Sequence, residues 1–184
     1  DAPARITMKM NSLVDARVIE ELYAASQAGV RVDLIVRGIC CLRPGVPGLS
    51  ENIRVVSLLG RFLEHARVFR FESAVETTTY IGSADMMPRN LDNRIEVITP
   101  VRDAALADRL RDALALEFAD DRAAWELRSD GVWERREPNP GALATSAQET
   151  FMRQAISTAS TALPRLTQRE ETADRIHRGR SQES

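Results

Sequence analysis

The chain is poor in the residues that build disulfides and metal sites. It has two cysteines and two histidines among 184 residues, and the cysteines, Cys40 and Cys41, are adjacent. Consecutive cysteines do not suit the geometry of a disulfide, and two thiols alone do not complete a zinc site. The sequence therefore excludes a disulfide framework, predicts no metal site within this chain, and fits a reducing compartment.

Long apolar runs and an excess of positive charge are also missing. No apolar run approaches the roughly 18 residues that a membrane-spanning helix needs, and the N-terminal residues show no signal-peptide pattern. The net charge is −2, so no bulk positive field would attract nucleic acid. Lys9 is the only lysine, and a genome biased towards Arg and Ala is the simplest explanation for the many arginines.

What remains is typical of one globular α/β domain, with 43% hydrophobic and 28% charged residues. Apolar residues alternate with Thr7 and Lys9 near the N-terminus, which predicts a half-buried strand. A helical repeat from Val14 to Ala25 and a second strand follow, and this order favours a parallel strand pair. The predicted strands run over Arg5 to Met10, Val30 to Val36, Ile53 to Leu58, Ala66 to Phe71, Thr77 to Ile81 and Arg94 to Thr99. The other predicted elements are a helix over Leu106 to Phe118 and a hairpin over Ala124 to Arg136.

The composition changes near residue 138, where Pro, Gly, Ser and Thr become frequent. We therefore expect a domain over residues 1–137 and a polar tail over residues 138–184. Within the tail, the pattern predicts a helix over residues 148–159 and disorder from Arg165 onwards. His177 lies in that part and is assigned no role. Because the chain lacks an initiator Met and begins close to a strand, we expect it to be the C-terminal piece of a longer protein.

Candidate functional residues surround His65. Arg61 and Arg67 flank this histidine, and a Gly82-Ser83 corner follows. Guanidinium groups bind phosphate oxygens in pairs, and imidazole exchanges a proton near neutral pH, so the set suits a phosphate. Further polar residues follow the corner: Arg89, Asn90, Asn93, Arg94 and Glu96. Taken alone, a histidine at the start of a strand is more often a surface or core residue without a catalytic role. Arg94 and Glu96 could form an ion pair with each other and have no role at a phosphate.

Four motifs in order resemble those of the type 1 polyphosphate kinases. They are Lys9-Met-Asn-Ser-Leu-Val-Asp15, Leu34-Ile-Val-Arg-Gly-Ile-Cys40, Gly60-Arg-Phe-Leu-Glu-His65 and Gly82-Ser-Ala-Asp-Met-Met-Pro-Arg-Asn-Leu91. The resemblance covers about Arg5 to Pro138 and is to the last catalytic domain of that family. It implies an α/β, phospholipase D-like fold: a mixed β-sheet flanked by helices, with a C-terminal hairpin and a flexible tail.

The phospholipase D fold has a His-x-Lys-x4-Asp motif and then a Gly-Ser-x-Asn corner. This chain has His65, Arg67 and Glu72 in the first frame and Gly82-Ser83-Ala84-Asp85 in the second. The family commonly has Trp where this chain has Met86 or Met87, which puts a stacking role there in doubt.

The resemblance also implies roles for individual residues. His65 is the expected catalytic residue, and Arg37 and His65 are the expected contacts to nucleotide phosphates. Additional phosphate-binding candidates are Arg61, Arg67, Ser83 and Arg89. Supporting residues are Asn11, Glu72, Asp85, Asn90 and Arg94. For Asn11, a phosphate contact and a turn cap are equally open.

The implied reaction is reversible transfer of the terminal phosphate of ATP to polyphosphate, through a phosphohistidine and with Mg²⁺. The resemblance places that histidine and the arginines at the Mg²⁺ in the preceding domain, so this fragment alone is expected to be inactive. It implies ATP or ADP, polyphosphate and the upstream domains of the same polypeptide as partners, with homo-oligomerisation. We expect a cytoplasmic location, with peripheral membrane contact as an option. Two alternatives stay open: a non-catalytic phosphate-binding or assembly module, and a phospholipase D-type phosphodiesterase that would need a dimer.

Overall fold

The computed structural model describes residues 4–160, which divide after Ser146 into two units. The first unit contains one eight-stranded sheet. Its strands are β1 Arg5–Met10, β2 Arg31–Val36, β3 Ile53–Leu58, β4 Val68–Glu72, β5 Thr77–Gly82, β6 Ile98–Pro100, β7 Ala124–Leu127 and β8 Trp133–Arg135. Its helices are α1 Ala16–Gln27, α2 Pro88–Asp92 and α3 Ala104–Ala119. In the second unit, residues 147–160 are helical.

The sheet is mixed, and its strand order is β6-β5-β4-β1-β2-β3-β7-β8. β1 pairs in parallel with β2, and β2 with β3. All other neighbours in the sheet are antiparallel. The predicted parallel pairing across α1 is therefore confirmed. The C-terminal hairpin is confirmed as well, with Gly131 at φ 91° in its turn, a conformation that favours glycine.

Both faces of the central strands are covered. On one face, Met8 and Met10 of β1 pack in the larger core with Ile19 and Leu22 of α1. On the other face, Leu114 and Phe118 of α3 pack on the β2, β3 and β4 residues Ile35, Val56, Leu58 and Val68.

The prediction of a half-buried β1 was therefore wrong. Thr7 and Lys9 are only 4% exposed, because the face that carries them lies towards α3 and not towards solvent. Polar residues at alternate strand positions predict a face in solvent, whereas here Thr7 and Lys9 are buried and Lys9 is paired with Glu64 and Glu117.

The strand predicted over Arg94 to Thr99 is shorter and later than expected. Only Ile98–Pro100 pairs with β5, because the preceding residues fold back over the Gly82-Ser83 corner. Ser83 N–H donates to the Val97 carbonyl at 2.9 Å. A Cβ on Gly82 would lie 2.6 Å from that same carbonyl oxygen, so the fold-back requires glycine. The short helix α2, begun by Pro88, was not predicted.

The first unit extends past the expected boundary at residue 137. Asp121 and Thr145 exchange two hydrogen bonds, from Asp121 N to Thr145 O at 3.1 Å and from Thr145 N to Asp121 Oδ1 at 2.6 Å. The predicted disorder from Arg165 and the tail residue His177 lie outside the described residues. Within residues 4–160, no helix has the length and apolarity to cross a membrane.

Candidate phosphate site

The sheet topology brings the motif segments to one edge. β1 and β2 are parallel, so their C-terminal ends coincide, and the antiparallel β4 begins beside the end of β1. Backbone hydrogen bonds then join the loops: Gly38 N–H donates to Asn11 O at 2.8 Å, and Met86 N–H donates to Ser12 O at 3.1 Å. This is the edge where open α/β sheets place their ligands.

Asn11 is the centre of the site. Its side-chain oxygen Oδ1 accepts from Arg37 Nε at 2.9 Å and lies 3.1 Å from His65 Nδ1. Its amide nitrogen Nδ2 donates to Asp85 Oδ1 at 3.2 Å, and its backbone N–H donates to the same oxygen at 2.7 Å. The residue is 5% exposed. One buried amide therefore fixes Arg37, His65 and Asp85 relative to one another, and we call these four residues with Arg67 the Asn11 network.

Asp85 connects the network to Arg67. Arg67 Nη2 donates to Asp85 Oδ2 at 2.9 Å, and Arg67 Nη1 donates to the His65 carbonyl at 2.9 Å. Burial by itself would raise the pKa of Asp85, but the Arg67 guanidinium and the two Asn11 N–H donors outweigh it, so the pKa lies below its usual range. Asp85 is thus an anion that holds Arg67 in place.

The contacts of Asn11 define the state of the His65 ring. Asn11 Oδ1 already accepts from Arg37, so it is an acceptor, and His65 Nδ1 must carry a proton to bond with it. Nε2 is then the ring nitrogen available to a ligand. In the neutral ring Nε2 accepts a proton, and in the charged ring it donates one. Because the His65 side chain is exposed, a ligand can reach it.

The two arginines of the network differ in the donors they have left. Arg67 uses Nε, Nη1 and Nη2 on Asp85 and the His65 carbonyl. Arg37 uses Nε on Asn11, and its backbone carbonyl accepts from Ser57 Oγ at 3.1 Å. The terminal nitrogens of Arg37 can therefore meet a phosphate as a pair, whereas Arg67 positions its neighbours. An open cavity of about 270 Å³ adjoins Arg37, with Trp125 and Trp133 in its walls.

The family model described as polyphosphate kinase C-terminal domain 2 matches residues 1–148. The chain belongs to this family. A polyphosphate kinase of Thermosynechococcus vestitus is 53% identical over 150 residues, which cover 82% of this chain and 20% of the relative. The chain thus spans about a fifth of the length of the curated relatives it matches.

Solved structures agree with the family assignment. The crystal structure of polyphosphate kinase from Porphyromonas gingivalis superposes with a TM-score of 0.81 at 40% identity, over 86% of this chain and 24% of that one. The phospholipase D family member Nuc from Salmonella typhimurium matches with a TM-score of 0.51 at 17% identity, over 68% of this chain and 82% of that one. The second likeness concerns the fold alone and confirms its phospholipase D-like class.

A second cluster in this polyphosphate kinase domain surrounds Glu96. Its carboxylate accepts from Ser83 Oγ and, at 2.6 Å, from Asn90 Nδ2. These two hydrogen bonds, with the Ser83 bond the stronger cause, lower the pKa of Glu96. Ser83 Oγ also accepts from Val97 N at 3.0 Å. Ser83 and Asn90 therefore brace the corner from the outside, and Glu96, noted in the sequence without a site role, is the group they share.

Besides Ser83 and Asn90, four of the predicted site residues are not brought into the Asn11 network. Arg61 lies over the Phe62 ring, 5.4 Å from its centroid, and Arg89 and Arg94 are exposed. Glu72 accepts from Arg70 at 3.2 Å, and in the strand register it lies opposite Arg5, at the other end of β1 from Asn11. Since a strand advances about 3.3 Å per residue, β4 carries Glu72 roughly 13 Å beyond Val68. The sequence frame aligned Glu72 with a motif position, but the extended strand takes it away from His65.

Sequence reasoning missed a buried ion cluster beside the site. Lys9 Nζ donates to Glu64 Oε2 at 2.6 Å and also to Glu117 Oε1. Lys9, Glu64 and Glu117 come from β1, the segment before β4, and α3, so no local pattern relates them. The available signal was the single lysine at a strand position two residues before Asn11. Among residues 4–160, no group of three or more His, Cys, Asp or Glu is placed to hold a metal ion.

Proposed function

We propose that this chain is the C-terminal catalytic domain of an ATP:polyphosphate phosphotransferase. In this proposal it binds nucleotide phosphates and polyphosphate and assists the reversible transfer of the terminal phosphate of ATP to the polymer. The family and the chemistry of the site support the proposal together. The observation that carries it is the shared contact at Asn11 Oδ1, which holds Arg37 Nε at 2.9 Å and His65 Nδ1 at 3.1 Å.

The arrangement suits phosphoryl transfer because that reaction depends on in-line positioning and on stabilising charge on oxygen. Arg37 would bind two oxygens of one phosphate through its terminal nitrogens. His65 Nε2 would donate a hydrogen bond or a proton to the departing phosphate oxygen. Arg67 and Asp85 would hold the His65 backbone and the Asn11 side chain in fixed positions relative to each other. In this scheme His65 assists the transfer, and the histidine that is phosphorylated belongs to the preceding domain.

The remaining parts of the proposal concern the complete polypeptide. Mg²⁺ neutralises phosphate charge in such reactions, and we assign its ligands mainly to the preceding domain, as the resemblance to the family implies. We further propose homo-oligomerisation and a cytoplasmic location, with peripheral membrane contact as an option. The domain alone would bind phosphates but would not make polyphosphate from ATP, because the phosphohistidine is supplied from outside it.

The first experiment replaces Arg37 by Ala in a complete polyphosphate kinase that contains this chain. Loss of a charge-assisted contact that strengthens in the transition state should lower kcat/KM roughly 30- to 1000-fold, or about 2 to 4 kcal/mol. Arg37→Lys should restore part of the rate, because an ammonium group lacks the fork. Arg109→Ala, an exposed arginine on α3, is the control. Wild-type kinetics for Arg37→Ala would exclude its role.

The second experiment tests the role of His65. His65→Ala should abolish or greatly slow turnover, and His65→Gln should recover a little of it, since the amide donates a hydrogen bond but cannot transfer a proton. After reaction with labelled ATP, mass spectrometry of the acid-labile phosphate should find it on a histidine upstream of this domain. Phosphate on His65 would identify His65 as the nucleophile and overturn the assisting role.

A further inference from the structure

The segment that carries His65 lies at the surface, between the last residue of β3 and the first of β4. Its side chains Phe62 and Leu63 leave 48% and 70% of their surface exposed. Apolar burial therefore contributes little to fixing residues 59–67. A histidine that must meet a phosphate within a few tenths of an ångström needs a firmer support than this.

Glu64, the residue before His65, supplies a buried ionic contact. Its Oε2 accepts from Lys9 Nζ at 2.6 Å, and the two side chains are 13% and 5% exposed. The same ammonium group bonds Glu117 of α3, whose side chain is 6% exposed. Buried charges are tolerated only when paired, so the lysine joins the His65 segment to β1 and α3 at once.

Lys9 and Asn11 contact two consecutive residues of the segment. Lys9 lies in β1, and Asn11 is the first residue after that strand. Lys9 Nζ bonds Glu64, and Asn11 Oδ1 contacts His65. Two anchors on neighbouring residues define both the position of the segment and its direction, so the His65 ring is held in place by its own contact and by that of its neighbour.

The two carboxylates on Lys9 are not equivalent. Burial raises the pKa of Glu117, against the opposing effect of Lys9, and Glu117 Oε2 is buried without a hydrogen-bond partner in the described part of the chain. Glu117 belongs to α3 and is far from His65 along the chain. Glu64 is the residue directly before His65, so a shift of Glu64 also shifts the His65 backbone. The chain thus provides two contacts to one ammonium group, of which one reaches the site.

We propose that the buried Lys9–Glu64 ion pair positions His65. The pair holds the imidazole ring at a fixed place relative to the Arg37 side chain. Lys9 and Glu64 are positioning residues in this proposal and do not touch substrate. The proposal rests on the proposed function, because it assigns the pair to the same reaction. Both residues lie within the sequence motifs, but neither side chain was a site candidate in the sequence.

The test compares two matched truncations in a complete polyphosphate kinase that contains this chain. Glu64→Ala and Glu117→Ala each remove one carboxylate and leave Lys9 paired with the other, so the fold should persist in both. Glu64→Ala should lower kcat about 10- to 100-fold with little change in KM, because it misplaces a transition-state contact. Glu117→Ala should lower the melting temperature and leave kcat within about threefold of wild type. Glu64→Gln, whose amide oxygen still accepts from Lys9, should restore most of kcat.

A chemical readout separates positioning from stability. Diethyl pyrocarbonate modifies the free nitrogen of a neutral imidazole, and peptide mass spectrometry gives the rate at His65. Glu64→Ala should change that rate about threefold or more, whereas Glu117→Ala should not. Equal loss of kcat in both alanine variants, no loss in either, or an unchanged modification rate in Glu64→Ala would overturn the proposal. If His65→Ala were as active as wild type, the proposed function would fail, and the modification rates would still show whether Glu64 positions the ring.

Discussion

Asn11 gives the sharpest test of the site, because one small side chain contacts three functional groups. Asn11→Ala removes the acceptor of Arg37 and His65 and one donor to Asp85. Arg37 is partly exposed and His65 is exposed, so water can replace the lost contact. Asp85 keeps the Asn11 backbone N–H at 2.7 Å and Arg67 Nη2 at 2.9 Å. The stability loss should therefore be about 1 to 2 kcal/mol and not the sum of three hydrogen bonds.

The effect on activity should be much larger than the effect on stability. About 1 to 2 kcal/mol corresponds to a melting temperature lower by roughly 2 to 8 °C for a domain of this size. Arg37 and His65 lose their common reference atom, so kcat/KM should fall about 100-fold. A coupled assay of ADP release and gel analysis of the polymer measure the loss of activity, and thermal unfolding measures the loss of stability.

Two further variants make the result interpretable. Asn52→Ala removes a comparable amide contact, from Asn52 Nδ2 to Ser26 O at 2.9 Å, and should cost stability without activity. Asn11→Asp keeps the acceptor but places a second carboxylate against Asp85, so the pair should take up a proton. Its activity relative to wild type should therefore rise as the pH falls. If Asn11→Ala stayed folded with kcat/KM within about threefold of wild type, Asn11 would not organise the site.

Two predictions concern the surrounding fold. Gly82→Ala should lower stability by about 1 to 3 kcal/mol in denaturant titrations, because its Cβ would lie 2.6 Å from the Val97 carbonyl oxygen; unchanged stability would show that the fold-back is soft. Burial raises the pKa of Glu117 above its ordinary value of 4.5, with Lys9 opposing and Glu64 and Asp120 adding to the rise. The native state then holds a proton that the unfolded state releases, so this group's contribution to stability falls as the pH rises from about 4.5 through the raised pKa. Relative to Glu117→Gln, wild type should lose stability across that range, and parallel stability curves would contradict the argument.

Most of the strands and helices, and the family, could be predicted from the sequence. Alternation and helical spacing depend on neighbouring residues, and so the paired strands β1 and β2, the helix α3 and the β7–β8 hairpin could be predicted. The motifs around Arg37, His65 and Gly82 are local as well, and they indicated the polyphosphate kinase family before any contact was known. The bounds of the strand predicted over Arg94 to Thr99 were wrong because Ser83 and Val97 bond across the corner.

The side chains that meet at the site are brought together by tertiary contacts, which local patterns do not predict. Whether Arg67 is free for phosphate depends on Asp85, 18 positions later, and that partner follows from the way the β5 loop packs on the end of β1. Lys9 is buried because Glu64 and Glu117, 55 and 108 positions away, meet it under α3. Contacts of this kind depend on strand register and on the helix that covers the sheet. A local residue pattern specifies neither the register nor the helix packing, because both bring together residues that are far apart in the sequence.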